Sequence, residues 1–154
     1  MAMTVLERED GVVSGIGRVD GALELGDGWA VRLAQGSRGR LALEVYADER
    51  LLDVVVENAL TAELLRGARR AAAGASVLAW GLLPADGAAP QVRFGRAAGS
   101  GATSGAVTSG GAGAGARVVA GRFWVAFCAA GTDRVAVAAG VGTPWEELRV
   151  TQVR

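Results

Sequence analysis

The chain predicts a mainly β protein: an antiparallel sandwich or barrel-like domain of about eight or nine short strands, with one short helix near 61–72. Three observations carry this. Asp-Gly pairs stand at 10–11, 20–21, 27–28 and 86–87, and such a pair between alternating residues is a strong hairpin signal because its residues tolerate positive φ. Apolar residues recur with period two over short runs: Trp29, Val31 and Leu33 oppose Arg32, and Leu41, Leu43 and Val45 oppose Glu44. A single run, from Thr61 onward, is dominated by good helix formers.

Taken in order, Ala22 to Leu25, Trp29 to Leu33 and Arg40 to Tyr46 form an opening β-meander. A strand follows at 52–56, where Leu and Val predominate. The helix is expected over 61–72, with Thr61 as N-cap, Gly74 at the C′ position and Gly67 as the one poor helix former. Ser76 to Leu83 is a strand ended by Pro84, and Gln91 to Phe94 is another after Pro90. Residues 97–116 hold only Gly, Ala, Ser, Thr and Val107. That run has too little apolar surface to offset its ordering entropy and is expected to be a flexible loop within a single domain spanning 1–154. Val118 to Cys128, Arg134 to Ala138 and Leu148 to Val153 complete the strands.

Composition excludes much chemistry. The chain has no histidine, and its sixteen basic residues are all arginine, balancing sixteen acids at a formal net charge of zero. Ser-His-Asp and Cys-His catalysis, imidazole metal sites and lysine-dependent phosphate loops are thereby removed. The dominance of Ala, Gly, Val and Arg points to coding bias in a GC-rich bacterium or phage. One cysteine, Cys128, allows no internal disulfide. The opening MAMTVLERED lacks the basic and apolar regions of a secretory signal, and the longest apolar stretches, around 71–85 and 123–132, are too short to span a bilayer. The expectation is a cytoplasmic protein; a trimmed secreted form or a virion component reads the same way.

Candidate sites are mostly absorbed by structural readings. Gly15-Ile-Gly17 lacks the third glycine of a dinucleotide fingerprint. No Gly-x-Ser-x-Gly elbow occurs, and Ser100, Ser104 and Ser109 lie in the small-residue tract. Cys128 alternates with Trp124 and Ala126 on an apolar strand and reads as an inert buried thiol. Acid pairs at Glu7/Glu9/Asp10, Asp48/Glu49, Asp53/Glu57 and Glu146/Glu147 sit in no signature context, and no calcium loop appears. Arg66, Arg69 and Arg70 form a basic stripe on the expected helix, but without interleaved aromatics they do not point to nucleic acid. No catalytic, metal or cofactor-binding residue and no cofactor is assigned, and neither nucleic acid nor membrane is expected as a partner.

One positive signal remains. In Phe123 to Cys128, Phe123, Val125 and Phe127 line one face and Trp124, Ala126 and Cys128 the other. In the strand from Ser76, Leu78, Trp80 and Leu82 oppose Val77, Ala79 and Leu83. Both faces need cover, either from the 61–72 helix or from a partner or second copy seated on Trp80, Trp124 and Trp145, the candidate interaction surface.

The run Leu78-Ala-Trp-Gly-Leu-Leu-Pro84, with Pro90 to Phe94, Arg122 to Ala126 and Asp133 to Val137, resembles small immunoglobulin-like β-sandwich domains of unknown function from GC-rich bacteria. The resemblance covers about 75–154 and implies the fold, with no catalytic site. The expected function is therefore a non-catalytic binding or assembly module, for protein–protein interaction or as a structural component of a particle such as a virion. The alternatives are a small carboxylate-dependent enzyme using acids such as Glu44, Asp53 or Glu57, and a small-ligand-binding β-sandwich.

Overall fold

A computed structural model describes residues 19–58, 63–96, 115–129 and 132–154. The fold is mainly β. Its strands are β1 (Leu23–Gly26), β2 (Trp29–Gln35), β3 (Leu41–Ala47), β4 (Arg50–Val56), β5 (Gly67–Arg70), β6 (Val77–Leu82), β7 (Gln91–Gly95), β8 (Arg117–Val119), β9 (Phe123–Cys128), β10 (Arg134–Ala138), β11 (Trp145–Arg149) and β12 (Thr151–Gln152). They make three sheets: β1-β2-β3-β4, β12-β5-β6-β9-β8 and β11-β10-β7. Every pairing is antiparallel except β12 on β5.

Local turn chemistry builds the four-stranded sheet. The β1–β2 loop is Asp27-Gly28, at φ 51° and 84°, and the β3–β4 loop is Asp48-Glu49, at φ 47° and 68°. Two consecutive positive φ values give the backbone twist that matches flanking strands, so each turn needs only two residues. Residues 118–128, expected as one strand, are a hairpin instead. Ala120 and Gly121 take positive φ and Arg122 N–H closes back on Val119 at 3.2 Å. Alanine is a rare occupant of that conformation, which is why the turn is hard to see. The expected strand over 148–153 likewise divides into β11 and β12 around Val150.

The two strands that are apolar on both faces lie side by side in the five-stranded sheet, with Trp80 opposite Val125 and Gly81 opposite Trp124. Their odd and even positions feed two separate cores. Leu78, Trp80, Leu82, Phe123 and Val125 pack with Trp29, Val31, Leu43, Val45 and Val55 of the four-stranded sheet. Val77, Ala79, Trp124 and Ala126 pack with Val92, Phe94, Val135 and Val137 of the three-stranded sheet, and with Leu64, Leu65 and Val150. The cover over the second face is thus a third sheet.

No helix forms over the described part of 61–72; its start, 61–62, lies outside the described residues, as do residues 1–18 and most of the 97–116 tract. Residues 63–70 run alongside β6 and end in β5. Leu82 N–H donates to the Glu63 carbonyl at 3.0 Å and Arg66 N–H to that of Trp80 at 2.9 Å. Pairing with β6, plus burial of both Leu64 and Leu65, outweighs a helix preference worth only tenths of a kcal/mol per residue. Gly67 lies under the Trp80 ring, where a Cβ would collide with the indole, and a Cβ on Gly81 would collide with the Leu64 carbonyl.

Two substitutions test this packing. Gly81→Ala is expected to destabilise the protein by at least about 1–3 kcal/mol through overpacking, whereas Gly74→Ala, whose Cβ meets no atom within 4 Å, leaves stability unchanged or slightly raised. Urea unfolding of the two variants decides it; equal midpoints would show that residues 63–66 do not cross the sheet at Gly81.

Candidate functional site

The three tryptophans of the core are each held by a hydrogen bond from the indole. Trp29 Nε1 donates to Ser76 Oγ at 3.1 Å, joining two sheets. Trp124 Nε1 donates to the Leu64 carbonyl at 2.7 Å, and Trp80 Nε1 to Asp53 Oδ2 at 2.9 Å. Trp80 is 2% exposed and Trp124 0%. Of the three tryptophans singled out as an interaction surface, these two are therefore interior, covered by the chain's own sheets. Trp145, 38% exposed, remains at the surface.

The register of the three-stranded sheet defines what surrounds it. Trp145 pairs with Ala138, Glu147 with Ala136 and Arg149 with Arg134. On the other side of β10, Ala138 pairs with Gln91 and Ala136 with Arg93. Since Val92, Phe94, Val135 and Val137 face the second core, these residues occupy the opposite, outward face. Arg93 and Trp145 stand on either side of β10 with the guanidinium 4.1 Å from the ring centroid, a cation–π contact, and Ala136 and Ala138 between them are buried. Arg134 is ion-paired with Glu147. The face carries three arginines, Arg93, Arg134 and Arg149, against one acid, Glu147, beside an exposed indole.

Asp53, Glu44, Glu57, Glu146 and Glu147 each have a partner. Burial opposes ionisation of Asp53, but hydrogen bonds from Arg66 (Nε 3.1 Å, Nη2 3.3 Å) and Trp80, with the nearby guanidinium charge and the Val54 amide, hold its carboxyl below the usual range. Glu44 is lowered by the Arg32 bond at 2.7 Å, against partial burial and aided by Tyr46 O–H at 2.8 Å. Glu57 accepts from Arg122 at 3.0 Å. The acids of the 53/57 pair therefore serve different partners. Glu146 and Glu147, adjacent on a strand, point to opposite sides, Glu146 accepting the Leu65 N–H at 3.2 Å. The Glu7/Glu9/Asp10 cluster, Gly15-Ile-Gly17 and Ser100, Ser104 and Ser109 lie outside the described residues. No cluster of three or more metal-ligating side chains occurs among the described residues.

Of the basic stripe, Arg66 holds Asp53 and Glu63, and Arg70 donates to the Thr132 carbonyl at 2.7 Å. They stand on a strand and its approach, with no helix to align them. Cys128 is half-buried. Sequence reasoning found Trp145 but missed Arg93, Arg134 and Arg149. The usable signal was the out-facing parity of Arg93 between Val92 and Phe94. Among the described residues no helix is long and apolar enough to cross a membrane.

No protein-family model, curated protein or solved structure matches the chain.

Asp53 and Glu44 both have folded-state pKa values below their unfolded ones, so they stabilise the fold fully above about pH 4 and lose that contribution as pH falls through the folded value. Unfolding free energy is accordingly expected to drop below about pH 4, with a shallower drop in Asp53→Asn. A wild-type slope retained in that variant would show that Asp53 is not coupled to folding. Trp124→Ala is expected to cost about 3–5 kcal/mol, independent of protein concentration; a concentration-dependent midpoint would place Trp124 at an interface between copies.

Proposed function

We propose that the protein is a non-catalytic binding module, and that its working surface is the outward face of the three-stranded sheet. The observation that carries this is Trp145, stacked under Arg93 on a face whose far end holds Arg134 and Arg149, while the other tryptophans are interior. Trp and Arg are the side chains most enriched at binding hot spots, because they combine large apolar area with little mobility and directed hydrogen bonds. The arginine excess favours an acidic protein partner. Two copies meeting through this face would set arginine rows against each other, which disfavours self-association by the same surface.

The reading against an enzyme rests on the carboxylates. A general acid at neutral pH needs a raised pKa, whereas Asp53 and Glu44 are held low by their arginines. The finer assignment, an immunoglobulin-like sandwich, stays a proposal supported by the spacing of β6, β7, β9 and β10. On it, the four-stranded sheet is a further layer laid over a sandwich. A packing component of a particle is one form such a module takes.

Titration calorimetry with poly-glutamate as an acidic probe tests the surface. Saturable, salt-sensitive binding is expected, weakened at least about tenfold in Arg93→Ala combined with Trp145→Ala, with the melting temperature nearly unchanged. Equal binding by the double variant sinks the assignment. Light scattering across a concentration range is expected to show a monomer, and a stable oligomer lost on Trp145→Ala would replace the acidic partner with a second copy.

A further inference from the structure

We propose that the cavity at the open end of the second core, between β5 and β10, binds the carboxylate of a small organic acid. The cavity measures about 350 Å³ and is lined by Arg70, Gly74, Ala75, Arg96, Thr132 and Asp133. It lies away from Trp145 and does not depend on the binding face described above.

The argument begins with Arg70. It closes β5 with the same parity as Ala68, which faces the second core, so its side chain extends between the five- and three-stranded sheets. There Nη2 donates to the Thr132 carbonyl at 2.7 Å, which fixes the guanidinium. Its Nε is buried without a partner, and so is Oγ1 of Thr132, a residue only 7% exposed. These are the two buried side-chain polar atoms without a hydrogen bond among the described residues, and both belong to side chains that line this one cavity, just behind its wall.

A desolvated N–H and a desolvated hydroxyl with no acceptor weaken a fold, and native structures rarely keep them without use. An anchored guanidinium presents its other N–H groups in one plane, the geometry that matches the two oxygens of a carboxylate. The Thr132 hydroxyl supplies a further donor. Arg96 adds positive charge, and Asp133 on the same wall disfavours a doubly charged phosphate relative to a singly charged carboxylate. Both orphaned atoms are screened from solvent, so seating the ligand takes a rotation of the Thr132 hydroxyl and a pivot of Arg70 about its retained Nη2 bond to the Thr132 carbonyl. In that sheltered position a charge-assisted bond is stronger than at the surface.

Acetate is the probe, titrated into the full chain at constant ionic strength against chloride and followed by backbone amide NMR and thermal unfolding. Saturable shifts centred on Arg70, Gly74 and Thr132 are expected, with a rise in melting temperature. Thr132→Val is expected to weaken acetate binding about tenfold while raising the melting temperature of the acetate-free protein, because it removes the unpartnered hydroxyl. A merely structural threonine would not give that pair of opposite effects. Gly74 lines the cavity, has no positive φ, and leaves open space where a Cβ would stand. Gly74→Leu is therefore expected to fold normally and abolish binding. Shifts that stay linear and match those of chloride overturn the proposal in favour of an ordered water bridging the two atoms. Tighter binding of inorganic phosphate than of acetate overturns the carboxylate assignment, and unchanged affinity in Gly74→Leu places acetate elsewhere.

Discussion

The pairing of β6 with β9 governs the rest of the molecule. Both strands carry apolar side chains on both faces, so the sheet they centre is stable only if each face is removed from water. The four-stranded sheet covers one side and the three-stranded sheet the other. Burying large side chains such as Trp80, Phe123 and Trp124 contributes on the order of 2–3 kcal/mol each by area alone, and these two strands carry all three. The other described residues are arranged as cover, connection or edge.

Covering both faces raises a polar problem that the tryptophans solve. An indole N–H buried without an acceptor costs free energy, so each core tryptophan has to end at one. Trp80 reaches Asp53, Trp124 the Leu64 carbonyl and Trp29 the Ser76 hydroxyl. Each bond also fixes a neighbour: Asp53 gathers Arg66, and Leu64 pins the approach to β5 across Gly81. The same bonds that satisfy the core thus hold Asp53 ionised and occupied, leaving it unsuited to proton transfer. Chemistry and packing compete for the same side chains, and Asp53 is taken up by packing.

What is left over is at the periphery. The outward face of β7, β10 and β11 is not needed for either core, and there the chain places an indole under a guanidinium above two alanines. The end of the second core, where the sheets part, leaves Arg70 and Thr132 with unused donors. Both features sit where the hydrophobic constraint relaxes, which is where specificity can be added without loss of fold.

The sequence by itself determined whatever depends on neighbours along the chain. Asp27-Gly28 and the alternation around Val31 and Val45 fixed the opening meander, because turn chemistry and the two-residue period act locally. The double apolarity of β6 and β9 fixed that two covers were needed. Only the tertiary structure decided which covers. Glu63 to Arg70 have the composition of a helix, yet β6 offers hydrogen bonds and two buried leucine sites that outweigh a weak local preference. Gly67, the one residue that argued against the helix, is where the Trp80 ring lies. The turn at Ala120 was hidden because its cost is borne by the pairing of β8 with β9. The same holds for Trp145 and Arg93, more than fifty positions apart and joined only through β10. Composition and period record what a residue prefers; contacts between distant segments decide whether the preference is met.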